Sequence, residues 1–264
     1  MSTADKYTIE TITGVRPWTD SLFSFRTTRD RGYRFVPGQF ARIGVRAHED
    51  EAKDPLKSIV WRAYSIASAA HDEHLEFFSV VVPNGAFTSR LSRLKEGDPL
   101  FVERKSYGFL TTDRFEAGRD LWMLATGTGL APFLSILHDF ETWEKYDNLI
   151  LVQSVRTQAE LAYEELIDSF DESEYYAQYA HKLRYARIVT REPVPGTLRE
   201  RVTKLLSSGV LEENIGLKLD HDRSRIMLCG NPEMVEDSRK ILIERGYRLS
   251  RRGEPGHLAV ENYW

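Results

Sequence analysis

The stretch Leu121-Trp122-Met123-Leu124-Ala125-Thr126-Gly127-Thr128-Gly129-Leu130-Ala131-Pro132 decides how the second half of this chain folds. Five consecutive apolar residues have the length of a fully buried strand. Gly-Thr-Gly then breaks the run. Pro132 opens a helix, where its missing N–H costs nothing. A strand that turns through glycines into a helix gathers backbone N–H groups at one point, and a pyrophosphate can approach them there. The usual third glycine is replaced by Pro132, so the standard dinucleotide fingerprint is not met.

Similar runs follow downstream: Leu149 to Val155, Arg184 to Val189 and Arg225 to Leu228. Apolar runs alternating with helical segments form the βαβ rhythm of a parallel sheet with helices on both faces. Ligands bind beyond the carboxyl ends of such strands. Arginines stand at or just past those ends: Arg156 after Val155, Arg191 after Thr190, and Arg201 in the next helix. Singly each is an ordinary surface residue; together they can surround one phosphate with charge-assisted bonds. The last strand runs into Cys229-Gly230-Asn231-Pro232. Cys229 at a strand end is either inert packing or a neighbour to a flat ring admitted by Gly230. Glu233 in the following first turn is explained by the helix dipole.

Upstream the pattern differs. Strand-like runs at Tyr7 to Ile12, Leu22 to Arg26, Gln39 to Val45, Leu75 to Val82 and Pro99 to Glu103 are separated by Pro37-Gly38, Pro83-Asn84-Gly85 and Gly97-Asp98-Pro99. This spacing reads as an antiparallel sandwich or barrel. A helix is expected over Thr88 to Leu94, and the charged run His48 to Ser58 reads as an exposed loop. Arg62-Ala63-Tyr64-Ser65 opens an extended segment, with Arg62 and Tyr64 on one face and Ser65 on the other. Arginine offers a fork for phosphate, tyrosine a ring for stacking, and serine a hydrogen bond to a ring nitrogen. In Gly85-Ala86-Phe87-Thr88 a glycine turn enters a helix, and Thr88 serves as cap, phosphate ligand or both. The chain therefore reads as two domains, 1–115 a β-barrel and 116–264 α/β.

Composition narrows the function. The 264 residues carry a formal net charge of -4, which argues against general nucleic-acid binding. Residues 1–115 hold 17 basic and 15 acidic side chains, whereas 116–264 hold 19 and 25. Arg245, Arg248, Arg251 and Arg252 form a basic cluster in the acidic half, either a solvated helix end or a docking patch for an acidic partner. One cysteine excludes an intrachain disulfide and a four-thiolate iron–sulfur cluster. The scattered histidines offer no metal site, His71 and His74 having no further ligands beside them. Met1 to Lys6 lack the signal-peptide pattern and no apolar run is long enough to span a bilayer, so a cytoplasmic protein without a membrane segment is expected. The chain ends in Glu261-Asn262-Tyr263-Trp264. Two terminal rings either plug a core groove or stack on a planar ligand.

Taken in order, Pro37-Gly38-Gln39-Phe40, Arg62 to Ser65, Gly85 to Thr88, Thr126 to Pro132, Cys229 to Pro232 and the terminal Glu-x-Tyr resemble the ferredoxin–NADP reductases. The added Trp264 resembles their bacterial ferredoxin/flavodoxin branch. The resemblance spans nearly the whole chain.

It implies FAD in the barrel domain and NADP(H) in the α/β domain. By motif, Tyr64 and Tyr263 would cover the two flavin faces, Ser65 would approach flavin N5, and Arg62 and Thr88 the pyrophosphate. Ala63, Phe78, Ser79, Val80, Val81, Ala86 and Phe87 would complete the flavin site, with Trp264 on the adenine. Thr128 would lie on the nicotinamide path. Val155, Arg156, Thr190, Arg191 and Arg201 would hold the 2′-phosphate and adenosine side. Ser65, Cys229, Glu261 and Tyr263 would make up the catalytic set, Tyr263 moving aside for the nicotinamide. NADPH would give a hydride, and single electrons would pass to an acidic ferredoxin or flavodoxin. A monomer is expected. Two other readings belong beside this one: the reductase component of a multi-component oxygenase, and a redox-inactive nucleotide-binding module of the same fold. His48 to Lys57 and Asp171 to Lys182 match no motif.

Overall fold

The computed structural model describes residues 6–46 and 59–262. The charged run 48–58 and the terminal Tyr263 and Trp264 lie outside the described residues.

Six strands form an antiparallel sheet: β1 (Tyr7–Pro17), β2 (Leu22–Thr28), β3 (Phe40–Arg46), β4 (Ile59–Ser65), β5 (His74–Val80) and β6 (Pro99–Tyr107). Their order is β4-β3-β6-β1-β2-β5. A bridge between Ile66 and Phe77 joins the two edges, so the sheet closes into a barrel. Inward side chains such as Ile12, Phe25, Ile43, Phe77, Leu100 and Val102 fill it. The short helix α1 (Thr88–Leu91) follows the β5 turn.

The second unit is a parallel sheet of β7 (Asp120–Thr126), β8 (Asn148–Val155), β9 (Leu183–Val189), β10 (Ser224–Gly230) and β11 (Leu258–Asn262), ordered β11-β10-β7-β8-β9. Alternation along the buried β7 separates two cores. Leu121, Met123 and Ala125 face α2 (Ala131–Leu137), α3 (Phe140–Lys145) and α4 (Glu164–Asp168). Trp122 and Leu124 face α5 (Val202–Ser208), α6 (Val210–Ile215) and α7 (Pro232–Glu244). The first core continues into the barrel through Leu22, Ala67, Phe78 and Leu110, which binds the two units along an apolar seam. From β7 the chain moves outward through β8 and β9, then returns to the other side as β10. The strand order reverses between β7 and β10, the place where open α/β sheets take ligands.

Several local expectations shift. Helix α1 stops at Leu91 rather than Leu94, and Thr88 is its first residue rather than its cap. Its hydroxyl instead accepts the Val82 N–H at 3.0 Å. Arg62 to Ser65 close β4 rather than open an extended segment. Arg201 precedes α5 as its N-cap. The strand β11 lies in the C-terminal stretch and adds a fifth strand beside β10. The tract Asp171 to Lys182 packs under the first core: the Tyr176 hydroxyl donates to His138 O at 2.7 Å, and Lys182 Nζ to Trp143 O at 2.6 Å.

Candidate nucleotide and electron-transfer site

A cavity of about 710 Å³ opens between the two units. Ser21, Leu22 and Val80 to Pro83 wall it from the barrel. Thr126 to Thr128, Ser154, Val155, Gly230 and Asn231 wall it from the ends of β7, β8 and β10. Arg156, Glu160, Thr190 and Arg201 lie at one side, and Glu233 and Asp237 of α7 at another.

Close backbone packing shapes its floor. A Cβ on Gly129 would sit 2.3 Å from Cys229 O, so only glycine lets the start of α2 press against β10. The Asn231 side chain caps α7 by accepting the N–H groups of Glu233 and Met234 at 2.9 and 3.2 Å.

The three arginines differ. Arg156 is exposed and lines the cavity, gripped by Glu160, whose Oε1 takes Nη2 at 2.8 Å and Nε at 3.1 Å. Glu160 Oε2 accepts the Arg156 backbone N–H at 2.9 Å. Partial burial raises the Glu160 carboxyl, but these bonds outweigh it and hold its pKa below the usual range. Arg201 also lines the cavity. Arg191 is exposed and adjoins the cavity through its backbone N–H, which donates to Arg156 O at 2.8 Å, although its side chain is not part of the lining.

The barrel face presents exposed Arg62, Ala63 and Ala86 around a half-buried Tyr64. The Tyr64 ring leans on Phe25, Phe77 and Phe87, with centroids 6.4, 6.4 and 5.6 Å away. Its hydroxyl lies 2.9 Å from Ser79 Oγ, and burial pushes its pKa up to about 12, so it stays neutral. Phe78 and Ser79 are buried, whereas Val80 and Val81 reach the cavity.

Ser65, Glu261 and Cys229 come from separate elements. Ser65 ends β4 opposite Phe40. A Cβ on Gly108 would sit 2.9 Å from the Phe40 ring and 3.0 Å from Glu261 Oε1, so these groups converge on one corner. Glu261 stands opposite Cys229 in the β10–β11 register. Cys229 is fully buried in the first core, and Gly230 rather than Cys229 lines the cavity.

The residues fit a dinucleotide beside a flat prosthetic group. Exposed guanidinium groups suit phosphate, the glycine floor admits backbone approach, and the Val80 to Pro83 wall is apolar. Among the described residues, no three His, Cys, Asp or Glu side chains come together to hold a metal ion.

Residues 123–240 match the family model of the oxidoreductase NAD-binding domain. The chain is 47% identical to a ferredoxin–NADP reductase of Pseudomonas aeruginosa over 256 residues, covering 96% of this chain and 95% of that one. This chain belongs to the ferredoxin–NADP reductase family. It is 38% identical to a flavodoxin/ferredoxin–NADP reductase of Escherichia coli, covering 96% and 97% of the two chains. Among solved structures, a ferredoxin NADP+ reductase from Neisseria gonorrhoeae with bound FAD and NADP superposes with a TM-score of 0.88. That protein is 35% identical and the match covers 98% of this chain and 99% of the other. The two-unit architecture is thus that of the family: a barrel and a parallel-sheet unit facing one cleft.

Sequence reading overlooked Glu160, Ser154, Thr203 and Asp237 in the lining. Glu160 was visible as the i,i+4 partner of Arg156. Asn231 between glycine and proline was a cap signal. Neither Thr203 nor Asp237 carries any local signal.

Proposed function

We propose that this chain transfers electrons between NADPH and a ferredoxin or flavodoxin with FAD as its prosthetic group, acting as a cytoplasmic monomer. Residues 1–115 form the flavin unit and 116–264 the NADP unit. The observation that carries this reading is the cleft itself: one apolar wall from the end of β5, one glycine-rich floor from β7 and β10, and cationic Arg156 and Arg201 at its side. Among the described residues, no helix is long and apolar enough to cross a membrane.

FAD, when bound, supplies the conversion of a two-electron hydride into single electrons. The chain's work is placement. Tyr64, braced by three phenylalanines and Ser79, offers a fixed ring face for the flavin, and by the motif match Tyr263 would take the other. Arg62, Ala63, Ala86 and Thr88 hold its phosphate side, and Phe78 to Val81 its edge. By the motif match, Trp264 would cover the adenine. Arg156 and Arg201, with Val155 and Thr190, would bind the 2′-phosphate and adenosine of NADPH, the exposed Arg191 would reach them by turning its side chain toward Arg156, and Thr128 would border the nicotinamide path. Ser65 and Glu261 would orient the reacting ring edge at the corner where Phe40 and Glu261 meet Gly108, and the buried Cys229, opposite Glu261 in the β10–β11 register, would support that corner from the core. Arginine at the 2′-position accounts for a preference for NADPH over NADH.

Anaerobic titration of the purified protein with NADPH and then NADH tests the reading. The flavin band bleaches rapidly with NADPH and slowly with NADH. A colourless protein overturns the flavin assignment, and equal rates overturn the arginine assignment.

A further inference from the structure

The loop that carries Arg156 and Glu160 does not end inside its own unit. Three residues beyond Glu160, Tyr163 adopts left-handed backbone geometry with φ 66°, a conformation that non-glycine residues hold only under external constraint. The constraint lies across the domain seam. The Tyr163 hydroxyl donates to Glu76 Oε1 of β5 at 2.7 Å. Glu76 is itself buried and its other oxygen takes Arg26 Nε at 2.6 Å. The Tyr163 ring is packed between Trp18, 4.8 Å away, and Phe78, 5.2 Å away and edge-on. On the other side, Gln153 Nε2 of β8 donates to Ala162 O at 3.2 Å, so the residue before Tyr163 is tied to the sheet.

The two ends of this tie matter. Strand β5 holds Glu76 and Phe78 and continues into Val80 to Pro83, the barrel wall of the cleft. Strand β8 leads into Arg156 and Glu160, the cationic side of the same cleft. The buried Tyr163–Glu76 hydrogen bond therefore joins the barrel wall of the cleft to the loop that carries its cationic side.

We propose that Tyr163 is a positioning residue whose bond to Glu76 sets the distance and angle between the two walls of the cleft, and so the alignment of nicotinamide with flavin. The inference rests on the cofactor reading above. Tyr163 is not part of the cleft lining; it acts through β5 and the 156–163 loop. Removing the hydroxyl leaves the ring packing in place but releases the left-handed turn from its anchor.

The test uses the full chain and its Tyr163→Phe variant, with three readouts. Amide hydrogen exchange across 156–163 speeds up at least tenfold in the variant. Calorimetric binding of adenosine 2′,5′-bisphosphate, which engages only the arginine side, changes less than twofold. The limiting rate of flavin bleaching at saturating NADPH falls at least fivefold. Glu76→Ala, which removes the acceptor instead of the donor, gives the same pattern. Unchanged exchange, an unchanged bleaching limit, or fragment binding that weakens by the same factor as the rate overturns the proposal. An unaltered chain that does not bleach at all sinks the cofactor reading and this inference with it. Failure of the latch alone is distinct: there the unaltered chain bleaches and Tyr163→Phe bleaches as fast.

Discussion

The backbone N–H of Asn231 donates to Thr126 Oγ1 at 2.8 Å, stitching the end of β10 to the end of β7 where the strand order reverses. The same hydroxyl sits where a side chain on Gly230 would go: a Cβ there would lie 2.2 Å from Thr126 Oγ1 and 2.5 Å from Thr126 O. Gly230 also has φ 131°, a conformation L side chains rarely adopt. Gly230→Ala therefore costs at least about 2–3 kcal/mol of stability by strain and clash. Thr126→Val, which removes only the acceptor, costs about 1 kcal/mol. Urea unfolding of both variants measures the difference; equal losses contradict the account.

Arg156 and Arg201 both line the cleft, but among the described residues only Arg156 of the two has a carboxylate in its grip. Arg201→Ala removes a charge-assisted contact and weakens NADPH binding about ten- to a hundredfold, leaving NADH nearly unaffected. Arg156→Ala has the same direction and additionally leaves Glu160 as a negative charge in the cleft lining without its guanidinium partner. Its loss in NADPH affinity is therefore the larger of the two. Equilibrium binding of both nucleotides to each variant checks the order.

The basic cluster near the end of α7 divides in two. Arg245 is committed inward, to Glu212 Oε2 at 2.9 Å and Leu206 O at 2.7 Å, and Arg248 is paired with Glu116. Arg251 and Arg252 are exposed, with no ion pair among the described residues. Exposed cations steer an acidic carrier at low ionic strength and lose that effect within a Debye length of about 10 Å at 0.1 M salt. Arg251→Gln with Arg252→Gln flattens the salt dependence of turnover with a ferredoxin or flavodoxin. Arg245→Gln lowers the melting temperature instead. Turnover that ignores salt in the unaltered chain removes the docking role.

His138 caps α2, its Nδ1 bonded to Leu134 O at 2.8 Å. Burial pushes its pKa below 6.5, opposed by the Leu134 bond. The unfolded chain then binds a proton that the folded chain refuses, so stability falls as pH drops through 6.5 toward the lower folded value. His257 is shifted the same way, by burial and then by Arg225 and Arg248, and adds to the slope. Urea midpoints measured from pH 7.5 to 5.5 decline, and His138→Gln makes the decline shallower. An identical slope in the variant excludes His138 as a source.

The one-dimensional pattern determined the two architectures, because burial imposes a period that residues carry locally. Five apolar residues ending in Gly127 and Gly129 specify a strand that runs into a helix whichever partner strands surround it. The alternating upstream runs specify antiparallel strands in the same way, and the spaced motifs assign the family. Arg156 and Arg201 were legible because each lies at a strand end or helix start. Tertiary structure alone decided what lies beyond: Arg191 bonds through its backbone to Arg156 with its side chain outside the lining, Cys229 is buried in the core, and Arg245 is turned inward. These outcomes depend on which side chains meet across tens of residues. Tyr163 and Glu76 are 87 positions apart, and neither has a neighbour in sequence that announces the other. A hydrogen bond of that reach exists only once the two units have closed their apolar seam, so no local period encodes it.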